Sequence, residues 1–387
     1  MSLLDLSTFI VAVTALSALL NARVLKLPAS IGVTVVGLLF SLLLLGLGAA
    51  GVPLAHSAVM AVRAIDFDSF VFQGVLSFLL FAGALGLHTG RLWELRTPVI
   101  TFALVSTLLS TALVGGLTYA LLSLFGLSVP LVLCLLFGAL ISPTDPVAVL
   151  GMLRQARVPE RIETIVAGES LFNDGVGVVA FTVLAGLAVA SGAHGELSVT
   201  GVTGFFLQEA VGGLLLGSVL GLLGWWALRS TSDFVTEILL SLLTVMACTA
   251  LAPHLHVSAP LAAVMAGLLV SLLTDRETAA LSSREKFRSF WHLIDELLNI
   301  FLFLMLALEL LVLDFSAQAL LLGVLTIPLV LFSRALSVQL PFALLARAGR
   351  FTPFTRRVLV WGACAARSAW PWLLRCRQGR RVTCFWS

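Results

Sequence analysis

The feature that most constrains this chain is a series of apolar runs, each about 20 residues long and nearly free of charge. A bilayer core about 30 Å thick is crossed by a helix of about 20 such residues. The runs therefore predict an all-α polytopic membrane protein, with a twelfth run beginning near Thr352. The first eleven cover residues 4–22, 29–50, 70–88, 98–125, 129–152, 163–190, 200–228, 235–252, 257–274, 294–313 and 317–346.

Composition excludes the soluble classes of protein. Hydrophobic residues make up 59% of the 387 residues and charged residues 11%, against about 25% charged residues in an ordinary soluble domain. A cytosolic enzyme, a nucleic-acid-binding protein and a disordered chain are excluded on this ground. The sequence also has no Walker loop, dinucleotide-binding, zinc or haem motif, so we expect no cofactor and no nucleic-acid partner.

The basic residues predict the orientation of the chain in the lipid bilayer. Sixteen Lys and Arg residues lie in the odd-numbered connections between the spans, and Arg63 lies alone in the even-numbered ones. Because positive charge accumulates in cytoplasmic loops, we expect a multi-pass protein of the cell inner (plasma) membrane with its N-terminus outside. Residues 275–289 are expected to form a solvated cytoplasmic connector.

Three spans hold charged residues where lipid would surround them. Asp145 lies in the fifth span, Glu169 and Asp174 in the sixth and Arg334 in the eleventh. At 1.5 Å per residue, Asp145 and Asp174 lie about 14 Å and about 20 Å from the nearest basic ends of their helices, near the bilayer midplane. Exposure of all four side chains to lipid would cost on the order of 10 kcal/mol. They are therefore expected to face one another or a water-filled cavity.

The fifth span also carries two prolines in its middle, Pro143 and Pro146. Each lacks an N–H, so carbonyls four residues earlier lose their helical partners, and lipid cannot replace them. The helix is expected to unwind here and to present Thr144 and free carbonyls to a polar cavity. Carbonyl and carboxylate oxygens at the midplane are typical of a cation site in a secondary transporter.

The residues leave two interpretations of the acidic groups open. Glu169 and Arg334 are expected to form a structural ion pair, and Asn173 cannot titrate, so Asp174 and Asp145 remain the titratable candidates. The favoured interpretation is a site where a cation and a proton compete for these carboxylates. The alternative is an intramembrane aspartyl protease with Asp145 and Asp174 as its dyad, although the sequence has no Gly-x-Gly-Asp string.

Around these residues the sequence resembles the NhaP-like sodium/proton exchangers of the monovalent cation:proton antiporter superfamily. The resemblance implies a secondary antiporter with Na⁺ as the expected cation. It also implies a homodimer with an inverted repeat of roughly thirteen helices and two crossed, unwound helices at the ion site. It covers residues 1 to about 362, which we interpret as the transmembrane antiporter domain. The matching strings are Ile141-Ser-Pro-Thr-Asp-Pro-Val-Ala-Val149, Gly168-Glu-Ser-Leu-Phe-Asn-Asp-Gly175, Val257-Ser-Ala-Pro-Leu-Ala-Ala-Val-Met-Ala-Gly267, Leu293-Ile-Asp-Glu-Leu-Leu-Asn299 and the segment around Arg334.

The resemblance also implies roles for individual residues. Asp174 would bind the cation and the proton alternately, while Asp145, Ser170 and the Thr144 backbone shape the site. Glu169 would pair with Arg334. Asn173 beside Asp174, in place of two aspartates, implies one-for-one electroneutral exchange.

The end of the chain departs from the family pattern. After Gly362 the family has Gly-Leu-Arg-Gly and a further apolar helix, whereas residues 363–387 hold three of the five Cys, three of the eight Trp, five Arg and no acidic residue. Deletion of one base from a GC-rich codon string for the family sequence gives residues 363–368 as they stand. We therefore hypothesise an out-of-frame tail, with about eleven full transmembrane helices and the last one or two of the family pattern disrupted. A truncated, inactive antiporter copy is the corresponding alternative function.

Overall fold

The computed structural model describes residues 3–50, 71, 75–87, 89–144, 150, 158–191, 199–276, 284–311 and 317–346. Asp145, Pro146, the run near Thr352 and the tail at 363–387 lie outside these residues. Within the described ranges every regular element is helical.

We number twelve helices among the described residues. The fifth of them contains a π-helical turn at Phe102–Ser106. The helices are α1 Leu3–Leu20, α2 Ala29–Ala49, α3 Leu76–Gly86, α4 Thr89–Glu94, α5 Arg96–Leu124, α6 Leu131–Ile141, α7 Glu160–Ser191, α8 Val199–Arg229, α9 Phe234–Leu251, α10 Ala259–Arg276, α11 Arg284–Glu309 and α12 Ala317–Ala346.

Eight of these described helices are long and apolar enough to cross a membrane, namely α1, α2, α5, α7, α8, α9, α11 and α12. Three shorter apolar helices, α3, α6 and α10, occupy further predicted spans. The all-α polytopic class predicted from the sequence is therefore confirmed. The span predicted at 317–346 agrees with α12 at both ends.

Two of the predicted spans differ from the helices in the structure. The span predicted at 294–313 is α11, which begins ten residues earlier at Arg284 and ends at Glu309, so part of the predicted connector at 275–289 is helical. Charged residues lower the hydropathy of this amphipathic segment, so hydropathy alone does not include it in the span. Its apolar residues Phe287, Phe290 and Trp291 nevertheless pack into a hydrophobic core. In the span predicted at 129–152, α6 ends at Ile141, before Pro143.

The chain divides into two compact units, each described by itself. Unit 1 comprises Met1–Thr89 and Leu207–Gly323. One of its cores joins α3, α9, α10 and α11 around Phe81, Val245 and Ala266, and the buried Trp291 indole N–H donates to Ser241 Oγ at 3.1 Å. A second core joins α1, α2 and α11 around Val33, Leu304 and Leu308.

Unit 2 comprises Gly90–Phe206 and Val324–Ser387. Its described helices α5, α6 and α7 pack in sequence, with α6 in contact with both of the others. Small residues allow a close approach of the backbones, since a Cβ at Gly115 would lie 2.8 Å from Leu135 Cα. This packing brings the end of α6 against the middle of α5 and α7, where the predicted site residues lie.

Candidate functional site

The site begins at the end of α6. The Ser142 N–H donates the last helical hydrogen bond to the Gly138 carbonyl at 3.0 Å, and Pro143 follows with no N–H to donate. Gly177 of α7 lies against the Pro143 ring so closely that a Cβ at position 177 would overlap Pro143 Cγ. The chain leaves the helix at this contact, and half-buried Thr144 follows beside α7.

The middle of α7 carries the polar side chains that face this break. Glu169, Ser170 and Asn173 are buried and Asp174 is half-buried. Because residues four apart share a helix face, Asn173 lies one turn above Glu169. Its Nδ2 donates to Glu169 Oε1 at 3.2 Å and to Thr144 Oγ1 at 3.0 Å. Asn173 therefore ties α7 to the segment after α6.

Arg334 of α12 supplies the positive charge of the site. Its Nη2 donates to Glu169 Oε1 at 2.7 Å and to Thr144 Oγ1 at 3.4 Å. Both partners of the Glu169–Arg334 pair are almost fully buried, with side-chain exposures of 4% and 5%. Such a charge-assisted bond between buried groups is strong, because water does not compete for either partner.

Two serines that the sequence analysis did not select hold the other side of Arg334. Its Nη1 donates to Ser106 Oγ on α5 at 3.3 Å, and Ser106 Oγ lies 3.3 Å from Ser337 Oγ. Ser337 in turn donates to the Arg334 carbonyl at 3.0 Å. In the sequence, each of these serines is a single hydroxyl within an apolar run. Such hydroxyls are too common in membrane helices to identify a site.

The structure thus brings Thr144, Glu169, Asn173 and Arg334 into one hydrogen-bonded network. Ser170 and Asp174 lie on the same two turns of α7. Glu169 and Arg334 cancel each other's formal charge, so the network is neutral, and Asp174 is the other acid on this stretch of helix. Oxygens of Asp174, Ser170 and Thr144 are hard donors of the kind that alkali cations prefer.

The sequence profile of the family described as "Sodium/hydrogen exchanger, transmembrane" matches residues 10–369. The chain belongs to this sodium/hydrogen exchanger family. The Na(+)/H(+) antiporter NhaP of Pseudomonas aeruginosa is 41% identical over 369 residues, covering 93% of this chain and 85% of that protein. The Na(+)/H(+) antiporter NhaH of Halobacillus dabanensis is 29% identical over 303 residues, covering 78% and 72%.

The fold of this exchanger-family chain is also similar to a solved structure. The sodium proton antiporter MjNhaP1 from Methanocaldococcus jannaschii at pH 8 matches with a TM-score of 0.70 and 18% identity, covering 94% of this chain and 82% of that one. The predicted family and its antiporter fold are confirmed. The predicted class, a membrane transporter, follows from family membership, and no observation favours an intramembrane protease.

Proposed function

We propose that this protein is a secondary antiporter that exchanges a monovalent cation for H⁺, with Na⁺ as the expected cation. The observation that carries the proposal is the placement of Asp174 on α7, within two turns of a neutral, buried network that fixes Thr144, Glu169 and Asn173. The names of the antiporters similar to this chain support the same substrates. The driving force is an opposing ion gradient, so no cofactor is needed.

The mechanism is competition for one carboxyl group. A carboxylate removed from bulk water is costly unless it is neutralised, and either a proton or a cation can neutralise Asp174. The two ligands exclude each other because both need the same oxygens. Movement of one helix bundle against another then exposes the loaded site to each side in turn.

The remaining site residues have supporting roles in this proposal. The Ser170 hydroxyl and the Thr144 backbone help to shape the site near Asp174, and Asp145 is the second candidate ligand. Asn173 holds Thr144 in place and cannot titrate. Glu169 and Arg334 stay paired through the cycle, so Asp174 alone changes its proton occupancy and one cation exchanges for one proton.

We further propose that the protein works as a homodimer in the inner membrane with its N-terminus outside. The charge asymmetry of the connections supports this orientation of the N-terminus. Electroneutral exchange has a direct test. In proteoliposomes, an imposed membrane potential should leave the exchange rate unchanged, whereas a rate that follows the potential would contradict one-for-one exchange.

Asp174→Asn is the decisive substitution, because it keeps the shape of the side chain and removes its charge. In everted vesicles containing a pH-sensitive dye, addition of Na⁺ should dequench the dye for the native chain and give no response for Asp174→Asn. Glu160→Gln, at the exposed start of the same helix, is the matched control and should retain exchange. Full exchange by Asp174→Asn at equal expression would refute the proposed role.

A further inference from the structure

Six buried side-chain polar atoms of unit 2 have no hydrogen-bond partner among the residues that the structure describes. Two of them, Thr111 Oγ1 and Thr118 Oγ1, lie farther along α5, and the other four are Thr107 Oγ1, Ser142 Oγ, Asn173 Oδ1 and Arg334 Nε. Thr107 and Asn173 are fully buried, and Ser142 and Arg334 nearly so. Buried polar groups in folded proteins are almost always paired, since an unpaired one keeps its full desolvation penalty. A group of four therefore calls for an explanation.

The packing of α5 against α6 places Thr107 and Ser142 at the same level along the two helices. A Cβ at Gly138 would lie 3.0 Å from Gly115 N, and one at Gly115 would lie 3.0 Å from Cys134 O. Gly138 also lies against the Thr111 carbonyl. Residue numbers on α6 therefore increase where those on α5 decrease, and the two helices are antiparallel. One turn farther along, this register places Thr107 level with Ser142.

The other two atoms belong to residues that reach the same end of α6. Arg334 donates through Nη1 to Ser106 Oγ, one residue before Thr107. Asn173 donates through Nδ2 to Thr144 Oγ1, two residues after Ser142. The four residues that carry these atoms therefore all lie around the end of α6.

The Thr107 hydroxyl leaves unused the acceptor that a helix normally offers it. Thr14, Thr244 and Thr249 each donate to the carbonyl four residues earlier, at 2.7 to 3.0 Å. Thr107 directly follows the π-helical turn at Phe102–Ser106, where the regular spacing of carbonyls is interrupted. Its hydroxyl, like those of Thr111 and Thr118 farther along α5, is available to a partner outside its own helix.

We propose that these four atoms line a buried hydration pocket, with water as its ligand. Asn173 Oδ1 can only accept, Arg334 Nε–H can only donate, and the two hydroxyls can do either. A water molecule donates two hydrogen bonds and accepts two, which matches this set. The positive charge of Arg334 makes a cation unfavourable at the same place. The pocket is independent of the proposed exchange, and it would hold the guanidinium and the Asn173 amide in fixed orientations.

The sign of a stability change tests the pocket. If it is dry, Thr107→Val replaces an unpaired hydroxyl with a methyl group and should stabilise the fold. If it holds water, the variant loses about one hydrogen bond, and the ratio of folded to unfolded protein should fall roughly threefold to tenfold. Denaturant unfolding in lipid nanodiscs measures this ratio. Ser142→Ala should give the same direction and keeps the test available if Thr107→Val does not fold.

Thr118→Val is the matched control on the same helix. Its hydroxyl is also buried and unpartnered, but it lies eleven residues from Thr107, about 16 Å along the helix, level with the apolar Leu131. A lone hydroxyl cannot hold a water that needs two to four polar partners, so Thr118→Val should leave stability unchanged or raise it. Stabilisation by Thr107→Val and Ser142→Ala would overturn the proposal. A high-resolution structure should show water within hydrogen-bonding distance of both hydroxyls, and an apolar, dry gap there would also overturn it.

Discussion

Neutralising one member of the Glu169–Arg334 pair should destabilise the protein far more than a surface substitution does. In Glu169→Gln, Arg334 Nη2 loses its carboxylate partner at 2.7 Å and keeps only the Thr144 and Ser106 hydroxyls near its guanidinium. The charge then stays buried without compensation, because the Arg334 side chain is only 5% exposed. Removal of one partner from such a pair costs about 3–5 kcal/mol.

A double-mutant cycle separates this pair from its surroundings. Arg334→Gln alone leaves the Glu169 carboxylate with Asn173 as its remaining donor at 3.2 Å, so it should be about as costly as Glu169→Gln. The double variant buries two neutral amides and no charge, so its loss of stability should be clearly smaller than the sum of the two single losses. Denaturant unfolding of the protein in nanodiscs gives the four free energies of unfolding.

The chain offers a matched control on the same helix. Glu160 at the start of α7 pairs with Arg91, but their side chains are 68% and 49% exposed, and an exposed pair contributes about 0–1 kcal/mol. Glu160→Gln should therefore change the free energy of unfolding little. If Glu169→Gln were no more costly than Glu160→Gln, or if the two buried substitutions were additive, the Glu169–Arg334 pair could not be the electrostatic centre of the network.

Two further predictions follow from local contacts. Gly177→Ala places a Cβ on the Pro143 ring, so it should lower the free energy of unfolding by about 1–3 kcal/mol and slow the exchange that the dye detects. Gly186→Ala on the same helix has nothing within 4 Å of its Cβ and should do neither. Equal activity of the two variants would contradict the contact. Asp233 caps α9 by accepting from the Thr236 hydroxyl at 2.7 Å and its N–H at 2.9 Å, and these bonds lower the pKa of its carboxyl group. The stabilising effect of the Asp233 carboxylate should therefore be present above its unfolded pKa of about 4 and disappear as the pH falls through the lower folded pKa. The measurement is the difference in unfolding midpoint between the native chain and Asp233→Ala. A difference that grows on acidification would refute this prediction.

The helices were predictable where hydropathy alone determines them. α12 has the predicted ends because its only charged or amide side chains are Gln318, Arg334 and Gln339. The start of α11 was missed because its first turns alternate charged residues with Phe287, Phe290 and Trp291, and only packing against α3 and α9 reveals which face is buried. Length and hydropathy carry no information about such a partner.

The candidate site was predictable as a set of residues but not as a geometry. A charged residue within an apolar run is recognisable because its transfer into lipid costs free energy. Glu169, Asp174 and Arg334 could be selected for this reason. Ser106 and Thr107 carry no such cost, since a hydroxyl in a membrane helix can bond its own backbone. Their contribution depends on the π-helical turn that ends at Ser106 and on the register between α5 and α6.

The neutrality of the network bears on how exchange is coupled in the proposed mechanism. Because Glu169 and Arg334 cancel each other, the charge of the site residues that the structure describes is set by Asp174 and its ligand. With either a proton or a monovalent cation bound, the site is neutral, so both loaded forms can cross the low-dielectric interior at similar cost. With neither bound, a carboxylate would have to move uncompensated, which is costly. In the proposed mechanism the empty site therefore reorients slowly, so one ion is exchanged for the other and neither is conducted alone.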